Sequence, residues 1–328
     1  MAYANHPDRR MFVRKLSLAL MGLPVLDGLS DVISRALLGA PASKFKLGLI
    51  TDEVSADLEV AIQFLESFSL RWVELRNLWN NTYVTEAPVA YIDRAKKLLS
   101  RHRMQVSAID TAFYKALLPG TKSEFTTDPH SARPISFEEQ MALLDRGIQR
   151  AKTFGTRYLR IFSFYRVADP SAVYDQVVEH LKKAVKVAEK ADITLLLENE
   201  HTCNVATAGE AARILKDLPS ANLALNWDPG NAFAAGETPY PDGYDLLDKK
   251  RIRHLHLKDA QRNTETGKVA WLPVGRGQID YLGQFRALLK DGYDGTLSLE
   301  THYKNKANNK EESSRESMAG ILATIKKA

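Results

Sequence analysis

The feature that most constrains the fold is a regular alternation, from residue 45 onward, of short apolar runs with longer amphipathic stretches. One such stretch places Val177, Leu181 and Val185 at helical spacing, which indicates a helix with one buried face. The apolar runs are short enough to be strands and occupy residues 45–50, 72–75, 106–109, 158–162, 194–197, 223–226, 252–257 and 296–299. The predicted helices occupy residues 58–68, 89–101, 137–154, 172–190, 208–218, 244–250, 282–290 and 310–325.

Eight strands that alternate with eight helices predict a parallel sheet, and eight is the number at which such a sheet closes into a (β/α)8 barrel. We therefore predict an α/β fold in which residues 43–328 form a single TIM barrel domain. The alternative is an open, doubly wound sheet. It is disfavoured because Thr51-Asp52-Glu53-Val54-Ser55 follows the first strand, where a nucleotide-binding sheet would carry a glycine-rich phosphate loop.

Residues 1–42 have the layout of an export signal. Arg9 and Arg10 precede an apolar stretch at residues 16–26, which is shorter than the ~20 residues of a transmembrane helix. Ala40-Pro41-Ala42 follows, and the paired arginines with Phe12 resemble a twin-arginine signal. We expect a periplasmic or secreted protein that keeps no stable membrane span after export. The alternatives are an amphipathic N-terminal helix and a cytoplasmic protein.

Composition excludes several classes of protein. The lone cysteine, Cys203, excludes an intramolecular disulfide framework and any multi-cysteine zinc or iron–sulfur site. The chain has 45 basic residues against 40 acidic ones, a formal net charge of +5. That balance is too even to indicate nucleic-acid binding, so no nucleic-acid partner is predicted.

Four consecutive predicted strands end in a carboxylate or an imidazole, and the reactive groups of such barrels lie at these ends. Alternate side chains of a strand point to opposite faces, so leucines that face the helices direct their neighbours into the barrel. On the seventh strand Leu255 and Leu257 therefore direct His254 and His256 inward. The same reasoning on the neighbouring strands predicts one cluster near the barrel axis, made of Glu198, Asp228, His256 and Glu300.

The predicted cluster is suited to a divalent metal ion. Three carboxylates that converge without a cation repel one another, and some would have to remain protonated. Oxygen ligands with one imidazole suit Mn²⁺, Mg²⁺ or Co²⁺, and Zn²⁺ also accepts such a set. We predict one divalent ion as the cofactor, Mn²⁺ in the first place, held by Glu198, Asp228, His256 and Glu300.

At these residues the sequence resembles the xylose-isomerase-like barrel superfamily, which contains sugar-phosphate isomerases and epimerases, tagatose-type 3-epimerases and inosose-metabolising enzymes. The resemblance extends from residue 45 to the C-terminus. It implies the same four metal ligands, and it implies that Arg262 contacts substrate oxygens. It rests on Leu-Leu-Glu-Asn at 196–199, Trp-Asp-Pro-Gly-Asn at 227–231, His-Leu-His-Leu-Lys-Asp at 254–259 and Gly-Tyr-Asp-Gly-Thr-Leu-Ser-Leu-Glu-Thr-His at 292–302.

Two positions depart from the pattern of the 3-epimerases. Those enzymes commonly have a histidine three residues after the ligand aspartate, where this chain has Asn231. They also have a glutamate six residues after the first ligand, where this chain has Asn204. Asparagine donates hydrogen bonds but carries no proton at neutral pH. Both departures weaken the prediction of a ketohexose 3-epimerase.

The predicted function is that of a metal-dependent sugar isomerase or epimerase, which transfers a proton next to a carbonyl of a sugar or keto-sugar derivative. Glu198 and Glu300 are the predicted acid–base pair. The predicted partner is a small carbohydrate, and an oligomer is compatible with the sequence. Five further side chains are predicted to contact the substrate hydroxyls, namely Arg262, Asn231, His201, His254 and Lys258.

Three alternatives remain open at this point. A metal-assisted hydrolase or lyase acting on a keto-glycoside would use the same metal and bases. A sugar-binding barrel without catalysis would keep the metal for structure. Phosphodiester cleavage at abasic DNA is disfavoured because it needs more histidines at the strand ends and a basic groove. Half of the eight histidines lie in the leader, the predicted helices or a loop, namely His6, His102, His130 and His180.

Overall fold

The computed structural model describes residues 44–123, 125 and 136–328, and the predicted export segment lies outside these residues. In the described part of the chain, eight parallel strands close into a barrel in which each strand pairs with its sequence neighbours and the last pairs with the first. This arrangement confirms the predicted TIM barrel. The strands are β1 (Lys46–Ile50), β2 (Trp72–Leu75), β3 (Gln105–Asp110), β4 (Tyr158–Ile161), β5 (Thr194–Glu198), β6 (Leu223–Trp227), β7 (Ile252–Leu257) and β8 (Thr296–Leu299).

Helices surround the barrel, and several begin at strong capping sequences. Ser136 and Glu139 form a reciprocal capping box at the start of one helix, as Thr207 and Glu210 do at another. The first of these helices ends at Gly155, which has a φ of 74° and supplies the left-handed residue that commonly closes a helix. The helices are α1 (Leu58–Ser67), α2 (Val89–Arg101), α3 (Phe137–Phe154), α4 (Tyr174–Ala191), α5 (Ala208–Asp217), α6 (Pro229–Ala234), α7 (Tyr281–Lys290) and α8 (Lys310–Lys327).

The strands bury both of their faces, as in other barrels of this kind. Leu195 and Leu197 of β5 belong to the large apolar core between the strands and the helices. Leu196, which lies between them, instead packs with Ala108 and Ala224 in a separate apolar cluster. Alternate residues of β5 therefore have different surroundings, and the set that contains Leu196 continues to the polar residue Glu198 at the strand end.

One predicted helix differs from the structure. Residues 244–250 form a single turn at Tyr244–Leu246, followed by a separate 3₁₀ turn at Lys249–Arg251. The two turns are separated because Leu247 is extended and Asp248 caps the second turn. The longer helix of this region is α6, which starts directly after β6 and was not predicted.

In the described residues, two short antiparallel ribbons follow barrel strands. Asn77–Leu78 pairs with Thr82–Tyr83 after β2, and Asp259–Arg262 pairs with Val269–Leu272 after β7. Among the helices of the described residues, none combines the length and the apolar character needed to cross a membrane.

Candidate active site

The four predicted ligand residues lie together at the carboxyl ends of β5 to β8. Their ligand atoms all lie within 4.8 Å of one another. His256 Nδ1 is 3.4 Å from Glu198 Oε1, 3.4 Å from Glu300 Oε2 and 3.6 Å from Asp228 Oδ2. All four side chains are buried. Three carboxylates and one imidazole nitrogen therefore converge on one small volume inside the barrel.

Local backbone structure positions Asp228 within this cluster. The residue is the N-cap of α6, and its Oδ1 accepts a 2.8 Å hydrogen bond from the backbone N–H of Asn231. Pro229 occupies the first helical position, where a missing N–H has no cost. The capping bond occupies one carboxylate oxygen, which leaves Oδ2 directed at the cluster.

A fourth buried carboxylate, that of Glu74, contacts the other nitrogen of the His256 ring. Glu74 Oε1 of β2 lies 3.0 Å from His256 Nε2, on the side of the ring away from the cluster. Burial disfavours the imidazolium, but Glu74 and Glu198 outweigh burial and raise the pKa of His256. A carboxylate that accepts the second ring N–H is the usual partner of a metal-ligating histidine.

Lys258 places a positive charge in the cluster, although its side chain is buried. Its Nζ lies 2.8 Å from Asp228 Oδ2 and 2.5 Å from Glu300 Oε2. Burial would lower the pKa of Lys258, but these two carboxylates raise it well above its usual value. Burial would likewise raise the pKa of Glu300, but Lys258 and His256 hold it well below its usual range. Both shifts favour the ionised form of the side chain, because Lys258 and the carboxylates stabilise each other's charge.

Asn231 and His201 connect the cluster to its edge. Asn231 Nδ2 donates a 3.1 Å hydrogen bond to Glu198 Oε1, and Asn231 Oδ1 lies 3.0 Å from His201 Nδ1. His201 Nδ1 also lies 2.8 Å from Glu200 Oε1. Burial would lower the pKa of His201, but Glu200 outweighs burial and raises it. Asn231 is fully buried and its amide nitrogen is directed at Glu198, so its contact with substrate stays a prediction.

Two of the predicted substrate contacts, His254 and Arg262, make other contacts within the protein. His254 is buried beside Asn226, with its Nδ1 3.2 Å from the amide oxygen, and burial lowers its pKa to about 4. Arg262 directs its guanidinium at main-chain carbonyls, including a 2.7 Å bond to Phe233 and a 2.9 Å bond to Gly267. His254 is buried and neither side chain lines the cavity described below, so contact of these two residues with substrate stays a prediction.

Asn204 is the second position that departs from the 3-epimerase pattern, and its side chain hydrogen-bonds to the main chain. Its Nδ2 donates to the carbonyls of Ser163, Phe164 and Tyr165, and its Oδ1 accepts from Val167 N. All of its hydrogen-bonding capacity is directed at a neighbouring loop. The residue therefore contributes no acid or base to the site.

Two buried arginines contact the cluster, and the sequence reasoning did not identify them. Arg76 Nη1 lies 3.1 Å from Glu300 Oε1, and Arg160 Nη1 lies 3.1 Å from Glu198 Oε2. The alternation of side chains along β4 could have identified Arg160, because Leu159 and Ile161 face the helices and so direct Arg160 inward. The same alternation directs Glu74, which lies in β2, and Arg76, which follows β2, into the barrel.

A cavity of about 1390 Å³ opens above the cluster. Its lining includes Glu300, both arginines, His201 and Trp271. The Trp271 ring lies 4.8 Å from the His302 ring and 5.9 Å from Lys258 Nζ. An aromatic side chain thus stands beside polar and charged groups at the mouth of the barrel, a combination typical of small-molecule sites.

The donor atoms of the cluster fit a divalent metal ion. One nitrogen and three carboxylate oxygens form the set, and hard divalent ions such as Mg²⁺ and Mn²⁺ prefer oxygen-rich sets of this kind. The carboxylates come from three different strand ends, so the fold rather than a local loop holds them together. The barrel and this cluster define a class of TIM barrel with a carboxylate–histidine site at its carboxyl end.

Residues 62–324 match the family described as xylose isomerase-like TIM barrel, and the chain belongs to that family. A putative L-ribulose-5-phosphate 3-epimerase, SgbU of Escherichia coli, is 25% identical over 50% of this chain and 58% of its own length. An inosose dehydratase of Bacillus licheniformis is 27% identical over 39% of this chain and 46% of its own length. The chain spans about half the length of the curated relatives it matches.

Solved structures show the same fold at low identity. The IolI protein with a bound zinc atom has a TM-score of 0.67 and 17% identity, over 86% of this chain and 99% of that one. A xylose isomerase-like barrel of Mycobacterium smegmatis in complex with magnesium has a TM-score of 0.61 and 18% identity, over 81% and 89%. The E. coli 3-keto-D-glucoside 4-epimerase YcjR has a TM-score of 0.61 and 13% identity, over 85% and 100%.

Proposed function

We propose that the protein is a divalent-metal-dependent enzyme that transfers a proton next to a carbonyl of a sugar or keto-sugar derivative. The observation that carries the proposal is the convergence of Glu198, Asp228, His256 and Glu300 within 4.8 Å beside a cavity. Membership of the family supports a sugar-modifying enzyme, since its relatives include a putative sugar-phosphate epimerase and an inosose dehydratase.

The four residues would hold the metal through one nitrogen and three carboxylates. A bound divalent ion supplies positive charge next to the carbonyl oxygen, where negative charge develops during proton removal. Relatives with bound zinc and bound magnesium support a divalent ion. Mn²⁺ remains our first choice from the oxygen-rich donor set.

Glu198 and Glu300 are proposed as the groups that carry the proton. Each is a carboxylate at a strand end, and each has one oxygen 3.4 Å from His256 Nδ1. Glu300 lines the cavity, and Asn231 Nδ2 donates a hydrogen bond to Glu198. Epimerisation requires one proton carrier on each face of the substrate carbon, and aldose–ketose isomerisation can use one carrier alone.

The test is a panel of ketoses, keto-glycosides and inososes, incubated with metal-supplemented enzyme in deuterated water. The proposal predicts deuterium incorporation at a carbon adjacent to the carbonyl of at least one substrate. Product analysis by nuclear magnetic resonance then separates epimerisation, isomerisation and elimination. Turnover to a stable product that carries no deuterium from the solvent would contradict proton transfer as the chemistry.

Elimination is the second candidate. The inosose dehydratase relative favours it, because dehydration begins with the same removal of a proton next to a carbonyl. Loss of a neighbouring hydroxyl or glycosyl oxygen then replaces the return of the proton. In the substrate panel, an unsaturated product would support this candidate.

We also infer that residues 1–42 direct export through the paired arginines, an inference that rests on the sequence alone. Replacing Arg9 and Arg10 with lysine should retain the precursor in the cytoplasm, and the barrel should stay folded. Cell fractionation of the variant and the native chain provides the comparison. Unchanged secretion would show that these arginines are not the export signal.

A further inference from the structure

The two glutamates of the site share an arrangement that the proposed function does not explain. Each directs one carboxylate oxygen at His256 Nδ1, at 3.4 Å in both cases. The other oxygen of each faces a buried arginine at 3.1 Å, Arg76 for Glu300 and Arg160 for Glu198. The two oxygens of each carboxylate are therefore divided between the cluster and an arginine.

Each arginine is fixed on its far side by acidic groups that take no part in the cluster. Arg76 donates from Nε and Nη2 to Asp52 Oδ2 at 3.1 and 2.8 Å, and it also pairs with Glu53. Asp52 in turn accepts a 3.1 Å bond from the backbone N–H of Asn77. A guanidinium held at both ends is a rigid fork, and its planar geometry positions the carboxylate that it contacts.

Arg160 is fixed in a similar way. Its Nη2 lies 3.1 Å from Asp110 Oδ2, and its guanidinium carbon lies 4.4 Å from the centre of the Phe162 ring. Asp110 and Arg160 lie on adjacent strands, in register with each other. The barrel itself therefore sets the position of both arginines.

We propose that Arg76 and Arg160 are positioning residues that make each glutamate a one-oxygen ligand. An arginine that holds the second oxygen prevents the carboxylate from turning to offer both oxygens to a bound ion. The protein then supplies four donor atoms, and an ion of six-fold coordination keeps positions for two substrate oxygens. This inference rests on the proposed function, because it assumes a divalent ion in the cluster.

Each arginine should affect metal affinity and turnover in opposite directions, and this difference can be measured. A fixed positive charge near the cluster repels a divalent ion, so each arginine weakens metal binding while it positions the proton carrier. Removing the charge should therefore tighten metal binding and slow turnover. A residue that acted through packing alone would weaken both together.

The experiment compares Arg76→Met and Arg76→Lys with the native protein, with Mn²⁺ as the probe. Calorimetric titration gives metal affinity, and the Mn²⁺ electron paramagnetic resonance spectrum reports the coordination. For Arg76→Met we expect binding about tenfold tighter and a changed spectrum, since Glu300 can then offer both oxygens. Turnover should fall ~10²-fold, the loss associated with misplacing a reacting group by about 1 Å.

Arg76→Lys separates charge from geometry. Lysine keeps the positive charge but lacks the fork that reaches Asp52 and Glu300 together. Its metal affinity should stay within about threefold of the native value, because the Coulombic repulsion is retained. Its turnover should lie between those of the native protein and Arg76→Met.

Two further variants keep the result interpretable. Arg76→Met combined with Asp52→Asn removes one of the buried carboxylates that would lose their partner, which limits the loss of stability. Arg157→Met is the matched control, because Arg157 precedes β4 and pairs with Asp192 at an exposed site. It should leave metal affinity and turnover unchanged.

Weaker metal binding in Arg76→Met together with slower turnover would overturn the inference, as would no change in either. Failure of the native protein to bind Mn²⁺ would contradict the proposed function itself, so the two failures are distinguishable.

Discussion

Replacing Glu300 with glutamine should lower turnover by ~10²–10⁴-fold, the usual contribution of a positioned acid–base group. Glutamine keeps the size of the side chain and one oxygen donor, but it cannot carry the proton. Glu300 lines the cavity and lies 3.4 Å from His256 Nδ1, so it is placed to contact both an ion and a substrate. The variant should still bind metal, but with lower affinity than the native protein.

Asp228→Asn provides the matched comparison. Asp228 also faces His256, but its other oxygen caps α6, and it is proposed as a metal ligand only. Much of the activity of this variant should return when the metal concentration is raised to saturation. Activity is measured against metal concentration for both variants, and bound metal is assayed directly. Full recovery of Glu300→Gln at saturating metal would make Glu300 a ligand alone and the two-glutamate mechanism wrong.

Removing the metal should abolish activity. The cluster has three carboxylates, and without an ion its positive charge comes from Lys258, His256 and the two arginines, none of which can bind two substrate oxygens as a Lewis acid. Addition of Mn²⁺ or Co²⁺ to the chelated protein should restore turnover better than Ca²⁺, which prefers more and longer oxygen contacts. Full turnover in a preparation verified to be metal-free would contradict metal dependence.

The barrel could be predicted because its strands are buried on both faces and therefore appear in the sequence as short apolar runs. All eight predicted strands are present in the described residues; three have the predicted bounds, and the ends of the other five differ from the prediction by at most one residue. The predicted helix at 244–250 is divided because Leu247 is extended and Asp248 caps a separate turn. The missed helix α6 has a different cause. α6 is only six residues long, which is too short to show an apolar periodicity in the sequence. The Asp-Pro pair at 228–229 is nevertheless a strong helix start.

The site could be predicted in part from strand parity. Applied to β5, β7 and β8, the rule selects Glu198, His256 and Glu300, which the structure brings together. Applied to β2 and β4, the same rule would have found Glu74, Arg76 and Arg160.

Parity could not predict where long side chains end. Lys258 reaches into the cluster through contacts with Asp228 and Glu300, and Arg262 turns away to main-chain carbonyls. Trp271 reaches the cavity through an antiparallel ribbon whose pairing has no signal in the apolar pattern. Such placements depend on tertiary contacts between distant segments.

The most direct test of the central claim is the crystal structure of the Mn²⁺-loaded protein, with anomalous diffraction recorded at the manganese edge. The claim predicts one strong anomalous peak in the barrel, bonded to His256 Nδ1 and to one oxygen each of Glu198, Asp228 and Glu300. A peak bonded instead to Glu74 and His254, which form a second buried group with His256, would contradict the ligand assignment. A barrel without any anomalous peak at saturating Mn²⁺ would contradict the metal site.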